Sequence, residues 1–315
     1  MTAPLLEASR AQAEADEARR QAEALAEQAR GLLERADAAK LKATEAQRQA
    51  DTIKRKAHYG EPFVLQSGEE QSSVLCTKLG TSVEALREAT TLKAEQCGLA
   101  DEHANGLAYL LSGNSLPRLE VLSLSVNALG DLGTATVADS FSASIPLRQL
   151  NLASNSIREV GATAIACAMQ RGALPHLMKL SLNCNDVNDE GATALFRVSH
   201  DKLEWLSLSR NQIKDQGARE IALALSARRF RQLRRLSLDH NQLGDEAMQS
   251  LASALRNGTS LQELYVDFNP ATPEKTLLVQ RLFGDDDSPA ESRPTEERQP
   301  LQLVASFFNS MLGRA

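Results

Sequence analysis

The sequence predicts an α/β solenoid in which each repeat supplies one short strand and one helix. The pattern Leu-x-x-Leu-x-(Leu/Val)-x-x-Asn occurs six times and each copy is followed by residues at helical spacing. A unit of this length cannot bury its apolar side without neighbours, so the units must stack. Successive pattern asparagines are between 26 (185 to 211) and 30 (155 to 185) residues apart, and they are Asn127, Asn155, Asn185, Asn211, Asn241 and Asn269.

One repeat illustrates how the pattern predicts a strand. Side chains alternate across a strand, so Leu206 and Leu208 are expected to point inward. The residues between them, Trp205, Ser207 and Ser209, are expected to face outward. The serines of this column are small, and the sequence therefore predicts a groove along the outward face of the sheet.

The second half of the same repeat predicts a turn and a helix. A buried Asn211 amide can satisfy backbone groups of the turn, which would be costly to bury unpaired. Ile221 and Leu225 then lie on one apolar helical stripe. Asp215 is expected to cap this helix, and Gly217 permits close backbone approach.

Repeats of this length, with Asn-x-(Leu/Ile/Val)-x-Asp-x-Gly after the strand, resemble the ribonuclease-inhibitor-like subclass of the leucine-rich repeat family. The resemblance spans residues 89–270 and about seven repeats, because a weaker unit with Cys97 at the asparagine position precedes the other six. It implies a horseshoe-shaped solenoid with parallel strands on the concave side and helices on the convex side. It also implies a role in binding other proteins.

Residues 1–58 predict a long alanine-rich helix that precedes the solenoid. Small or apolar residues recur at alternating spacings of three and four from 8 to 57, which is a heptad seam. Only Leu25, Leu32 and Ile53 are large seam residues, so a tight homodimer is disfavoured. A heterotypic helical partner for residues 8–57 is the preferred interpretation; a solvated single helix and a homodimer remain alternatives.

The segments on either side of the repeats are predicted to close the solenoid. Residues 59–88 are interpreted as a linker and an N-terminal cap, and residues 271–283 as a C-terminal capping helix that begins at Pro273. Leu277, Leu278, Leu282 and Phe283 are expected to cover the last repeat.

The C-terminal tail divides into two parts. Residues 284–299 contain six acidic and two basic residues and predict an acidic disordered linker. Residues 300–315 predict a short amphipathic helix that docks either on the solenoid or on a partner. Its docking residues are Val304, Phe307, Phe308 and Met311.

Composition narrows the class of function. The net charge of −6 disfavours nucleic acid, no apolar stretch predicts a membrane segment, and the four cysteines have no disulfide or zinc spacing. The sequence has no nucleotide-binding or catalytic motif, and we expect no cofactor, metal or catalytic residue. These features predict a cytoplasmic protein and are compatible with an association with the cytoskeleton or a cilium.

The expected function is a non-catalytic protein-binding scaffold or adaptor that belongs to a larger assembly. The alternative is a GTPase-activating protein similar to the Ran GTPase-activating type, which is also a solenoid of this kind. The binding residues are predicted on outward positions of the last four strands, where interface-forming residue types cluster. They are Lys179, Trp205, Arg210, Arg235, Asp239, His240, Glu263, Tyr265, Asp267 and Phe268.

Overall fold

The computed structural model describes residues 67–112 and 116–283, and it shows the predicted solenoid. In this part of the chain, seven parallel strands form one sheet whose spatial order equals their order in the sequence. The strands are β1 (Thr91–Lys93), β2 (Val121–Ser123), β3 (Gln149–Asn151), β4 (Lys179–Ser181), β5 (Trp205–Ser207), β6 (Arg235–Ser237) and β7 (Glu263–Tyr265).

Each strand is followed by a helix, and the helices after β1 to β6 return the chain to the next strand. The repeat helices stack on one another in sequence order, so the molecule has one layer of strands and one of helices. Two helices precede the sheet, and short 3₁₀ turns cover Asp101–His103 and Arg281–Phe283. The helices are α1 (Gly68–Lys78), α2 (Val83–Glu88), α3 (Ala104–Ser112), α4 (Asp131–Ser140), α5 (Glu159–Gln170), α6 (Asp189–Arg197), α7 (Asp215–Ser226), α8 (Asp245–Arg256) and α9 (Pro273–Gln280).

The repeat leucines form a continuous core between the two layers. Leu180 of β4 is paired in register with Leu206 of β5, which is paired with Leu236 of β6. All three side chains are at most 1% exposed. The alternation of the pattern therefore predicted which strand side chains point into the core, because the period of a strand is two.

A ladder of buried asparagine amides joins successive repeats, as the sequence predicts. The Asn155 Nδ2 atom donates to the carbonyl of Leu152 in its own repeat, at 3.1 Å, and to that of Leu124 in the preceding repeat, at 3.0 Å. The Asn155 Oδ1 atom accepts from the backbone N–H of Leu129 at 3.0 Å. Each such amide satisfies turn groups of two repeats, and the same arrangement recurs at Asn185, Asn211 and Asn241.

The expectation that Asp215 caps its own helix is wrong. Asp215 is the first residue of α7, and its Oδ1 atom accepts from the N–H groups of Gly244 and Ala247, at 2.6 and 3.3 Å. These groups lie at the start of α8, so the carboxylate caps the helix of the following repeat. This side chain is in the first turn of its helix and points along the stack. It therefore reaches the unpaired N–H groups of the neighbouring helix more readily than those of its own helix.

The cap between repeats explains why the repeat pattern has a glycine in the first turn of the helix. Asp131 accepts from the N–H groups of Arg158 and Gly161, at 2.8 and 2.7 Å. A Cβ atom on Gly161 would lie 2.9 Å from that same carboxylate oxygen and 2.8 Å from the Cγ2 atom of Ile157. The pattern glycine therefore leaves room for the aspartate of the preceding repeat.

His200 fills a buried position in the turn before β5. Its Nε2 atom lies 2.8 Å from the carbonyl oxygen of Leu174, and its Nδ1 atom accepts from the N–H of Leu203 at 3.1 Å. These contacts fit a neutral ring with its proton on Nε2. Burial lowers the pKa of His200 below its ordinary value, although the bond to the Leu174 carbonyl acts in the opposite direction.

Two short helices cover the N-terminal end of the solenoid. Helix α1 begins with a capping box, in which Ser67 and Glu70 bond reciprocally to each other's backbone N–H groups. It packs so closely against α3 that a Cβ atom on Gly106 would come within 2.6 Å of the Gln71 carbonyl oxygen. Leu86 of α2 is buried in the core.

Helix α9 and the turn after it cover the other end with two of the four predicted residues and with Val279, which was not predicted. The helix begins at Pro273 as expected, but Val279 is its buried side chain. Leu278 and Phe283 are partly buried, whereas Leu277 and Leu282 are 44% and 38% exposed. Helical geometry allows only one face of so short a helix to reach the core, and that face contains Val279.

The predicted N-terminal helix and the predicted tail segments lie outside the described residues. Their seam residues Leu25, Leu32 and Ile53 and their docking residues Val304, Phe307, Phe308 and Met311 therefore stay predictions. None of the helices in residues 67–112 and 116–283 has the length and apolarity needed to cross a bilayer.

We predict that Asn211→Ala lowers the free energy of unfolding by about 2–3 kcal/mol, because it leaves buried carbonyl and N–H groups of two repeats without hydrogen-bond partners. Urea unfolding followed by circular dichroism measures this loss. Asn257→Ala is the matched control, since Asn257 is exposed and outside the ladder; its effect should stay below about 0.5 kcal/mol. Equal losses in the two variants would contradict the ladder's role.

We predict that His200 makes the solenoid less stable as the pH falls. Its folded-state pKa lies below the unfolded value of about 6.5, so its contribution is complete above that pH and declines as the pH falls through the folded-state pKa. Urea midpoints at about pH 7.5 and 5.5 should differ less in His200→Gln than in the unmodified chain. His176→Gln, at an exposed histidine, should leave the difference unchanged; an unaltered pH dependence in His200→Gln would refute the assignment.

Candidate functional site

The predicted binding residues lie together on the concave face of the last four strands. The parallel register places Lys179 beside Trp205, Trp205 beside Arg235, and Arg235 beside Glu263. The column predicted from the repeat spacing is therefore present.

The serine column beside it does not form the predicted groove. Ser181, Ser207 and Ser237 are only 5%, 1% and 0% exposed. Ser207 donates to the Oδ1 atom of Asn183 in the preceding repeat, and Ser123 donates to Glu95 at 2.6 Å. Side chains of neighbouring repeats thus cover these small hydroxyl groups, and the outward strand face is closed and hydrogen-bonded.

Arg235 and Glu263 form a forked ion pair on the first column. The Arg235 Nε atom lies 2.6 Å from Glu263 Oε2, and its Nη2 atom lies 2.8 Å from Glu263 Oε1. The Tyr265 hydroxyl also donates to Glu263, at 2.5 Å. The hydrogen bond from Arg235 is the main cause that lowers the pKa of Glu263, which stays ionised in this cluster.

Trp205 lies between Lys179 and this ion pair. It is the only tryptophan of the chain, and it is half-buried. Its Nε1 atom is buried and has no acceptor among the described residues. A rigid indole between two cationic side chains supplies apolar contact area at a low conformational cost.

A second group of predicted residues forms a row at the ends of the strands. This end-of-strand row consists of Arg210, His240 and Phe268, and each of these residues immediately precedes a ladder asparagine. All three have left-handed backbone conformations, with φ of 55°, 55° and 56°. Such a conformation is uncommon outside glycine, and here the ladder turn imposes it repeatedly.

The side chains of the row contact one another. The Arg210 Nη2 atom lies 3.2 Å from His240 Nε2, and the rings of His240 and Phe268 are stacked with centroids 4.3 Å apart. The His240 Nδ1 atom lies 3.0 Å from Asp239 Oδ2, which fits a ring that donates from Nδ1 and accepts from Arg210 at Nε2. Phe268 is 70% exposed, the highest value among the exposed large apolar side chains of the described part.

The row is also connected to the C-terminal cap. The Gln280 Nε2 atom of α9 donates to Asp267 Oδ1 at 2.7 Å. Asp267 immediately precedes Phe268, so the cap helix holds the backbone that presents this phenylalanine. The sequence pattern did not predict this contact, because no repeat rule places a cap residue against a strand end.

The Ser209 and His240 side chains of this face are both paired with the Asp239 carboxylate and not with each other. Ser209 donates to Asp239 at 2.5 Å, so it is paired with the carboxylate and not with His240. A nucleophile of the serine type needs its base within hydrogen-bond reach. In the described part of the chain, no three His, Cys, Asp or Glu side chains are grouped to hold a metal ion.

Comparison with known proteins agrees with this architecture. The family model for the leucine-rich repeat matches residues 143–166, 173–196, 202–222 and 231–252. The ribonuclease inhibitor of Mus musculus is 30% identical over 223 residues, which are 68% of this chain and 48% of the inhibitor. The ribonuclease inhibitor of Sus scrofa is 28% identical over 148 residues, which are 46% of this chain and 32% of the inhibitor.

A third relative comes from a plant. RAN GTPase-activating protein 2 of Arabidopsis thaliana is 33% identical over 98 residues, which are 30% of this chain and 18% of that protein. The matches thus span half or less of the length of each of these three relatives. The matched repeats, the in-register parallel sheet and the asparagine ladder identify the chain as a member of the leucine-rich repeat family, with repeats of the ribonuclease-inhibitor-like subclass.

Proposed function

We propose that this protein is a non-catalytic scaffold that binds a protein partner on the concave face of β4–β7 and on the end-of-strand row. The observation that supports this proposal most strongly is the exposed Phe268 ring, which is stacked on His240 at one end of a hydrogen-bonded polar network. An exposed aromatic side chain on an ordered support is the kind of residue that dominates interface energies.

The support of the site is ordered before a partner arrives. The ladder holds the left-handed turns, Asp239 orients His240, and Arg235 and Glu263 hold each other. Side chains that are already immobilised lose little further conformational entropy on binding. A modest area of such a surface can therefore bind with useful affinity.

The polar groups around Phe268 favour a partner with its own polar rim. Asp239 and Asp267 supply carboxylates next to the end-of-strand row, and Lys179 on β4, three strands away from β7, supplies an exposed ammonium group. Paired groups such as Arg235 and Glu263 add orientation and discrimination more than affinity. The expected partner surface therefore has an apolar centre for Phe268 and Trp205 and mixed charges around it.

We predict that Phe268→Ala and Trp205→Ala each weaken partner binding by about tenfold or more, the effect of a hot-spot truncation of at least about 1.4 kcal/mol. Partners are first captured from cell extract with the full chain and identified by mass spectrometry. Dissociation constants are then measured for the purified partner with each variant.

Leu223→Ala is the control, because Leu223 is 58% exposed on the helical side of the solenoid. It should leave the affinity unchanged, and Phe268→Ala should keep the unfolding midpoint of the unmodified chain. If Leu223→Ala weakens binding as much as Phe268→Ala, or if neither concave substitution has an effect, the concave site is wrong.

The flanking segments are proposed to place the solenoid in a larger assembly. Residues 8–57 would pair with a helix of another protein along the Leu25, Leu32 and Ile53 seam, and the residues around Phe307 would dock in the same assembly. Leu25→Asp with Leu32→Asp in the full chain should remove the helical partner from captured complexes while the partner of the concave face is kept. Retention of both partners would exclude the seam as a binding surface.

A cytoplasmic location is the setting that fits this role. Cys76, Cys97 and Cys184 are free thiols in the described structure, as is usual in reducing compartments. Fluorescence microscopy of the tagged full chain, with markers for the cytoskeleton and for cilia, tests the location and its finer assignment. A signal confined to a secretory compartment would contradict it.

Activation of a small GTPase is the second candidate, and the 98-residue similarity to the plant RAN GTPase-activating protein favours it. For the scaffold proposal we predict that a saturating amount of the full chain leaves single-turnover GTP hydrolysis by Ran-type GTPases unchanged. A known GTPase-activating protein serves as the positive control. An acceleration of about 10³-fold or more, the scale of such activators, would instead establish the second candidate.

A further inference from the structure

The helix-to-strand edge of the solenoid carries a concentration of positive charge that the strand-to-helix edge lacks. At the strand-to-helix edge, aspartates cap the helices of following repeats. At the helix-to-strand edge, the loop between α7 and β6 contains four arginines and no acidic residue in residues 227–234. We call the exposed cationic residues of this region the basic edge: Arg197, Lys202, Arg228, Arg231, Arg234 and Arg256.

Much of this charge is available to a ligand. Arg228 and Arg234 are exposed and form no ion pair with any of the described residues. Among the described acidic residues, Arg231 pairs only with Asp201, at a long distance of 3.8 Å, and both side chains are more than 70% exposed. Arg229 is different, because it donates to the Arg197 carbonyl at 3.0 Å and thereby holds the loop against the preceding repeat.

The basic edge extends toward the end of the solenoid. The Nη2 atom of Arg228 would lie 3.8 Å from a Cβ atom on Gly258, in the equivalent loop of the next repeat. Arg256 is the last residue of α8, immediately before that loop. The cationic side chains of two successive repeats therefore form one surface, with Asp201 and Glu204 as the acidic residues of the adjoining loop before β5.

The described chain ends at this same edge. Thr272, the residue before α9, donates its N–H to Asp245 at 2.7 Å, as the equivalent Gly244 does to Asp215. Helix α9 therefore starts where the other repeat helices start and runs in the same direction, toward the helix-to-strand edge. Phe283 is the last described residue, and the six acidic residues of 284–299 follow it directly.

We propose that residues 284–299 bind in cis along the basic edge. Sixteen residues can extend over about 50 Å, whereas adjacent repeats are separated by about 5 Å at the strands and about 10 Å at the helices. Exposed ion pairs are individually weak, but covalent attachment gives the segment a millimolar effective concentration. The contact is therefore polyelectrolyte-like and sensitive to salt, and it leaves the concave face open.

The test uses the full chain with the photoreactive residue p-benzoylphenylalanine in place of Ser288, next to the Asp285–Asp287 run. After irradiation, cross-links within one chain are located by mass spectrometry. We expect them in peptides that contain residues 227–234 and 256–262. Raising the salt concentration from about 0.05 M to 1 M should reduce their yield severalfold, because the Debye length falls to about 3 Å.

Charge reversal provides the decisive comparison. Arg228→Glu with Arg234→Glu should lower the yield about five- to tenfold, since two attractive contacts become repulsive. Arg158→Glu with Lys214→Glu changes the charge equally at exposed positions of the opposite edge and should have no effect. Reversal of Asp285–Asp287 to lysine should abolish the cross-links, and its combination with Arg228→Glu and Arg234→Glu should restore them.

Four results would overturn the proposal. Cross-links on the concave face or the strand-to-helix edge would place the segment elsewhere, and cross-links between chains would indicate a second copy as the occupant. A yield insensitive to both charge reversals, or no cross-link at all, would leave the basic edge to a separate acidic partner. Circular dichroism and unfolding midpoints of all variants verify that the solenoid is folded, so that a loss of cross-linking reports on binding.

Discussion

The structure depends on the stacking of identical turns through buried asparagine amides. Each amide has two donors and an acceptor, and in the ladder they bond to backbone groups of the same repeat and of its neighbour. No other side chain of similar size offers this combination to a tight turn. Because the amides are buried, a repeat displaced along the stack would leave polar groups unsatisfied, and the register of the sheet follows from this penalty.

The proposed binding site is a direct consequence of the same constraint. Every ladder turn forces the residue before its asparagine into the left-handed region. Each repeat therefore presents one side chain at the same position relative to the sheet. Where those side chains are Arg210, His240 and Phe268, they meet and form a row. The fold supplies the geometry of the row, and the residue types decide whether it can bind. This division explains how solenoids of one family can serve different partners.

Charge is distributed along the stack by a related mechanism. Aspartates lie at one edge because helix N-termini need acceptors and attract negative charge. Asp131 and Asp215 satisfy the helix of the next repeat, so they link neighbours as the asparagines do on the other side of the turn. The helix C-termini lie at the opposite edge, where their unpaired carbonyl groups favour cations. Arg229 donates to the carbonyl of Arg197 there, and the exposed Arg228 and Arg234 add to the cationic surface.

Sequence alone determined the repeat register, the order and direction of the strands, the buried leucines and the asparagine ladder. These features repeat every 26 to 30 residues, and a periodic pattern leaves only one way to bury its apolar side. The columns of the candidate site could be aligned for the same reason. Only the tertiary structure decided that Asp215 caps its neighbour, that Ser207 is covered and that Val279 closes the last repeat. These outcomes depend on contacts between repeats and at the end of the stack, where distances between side chains in space, rather than spacing along the chain, select the partner.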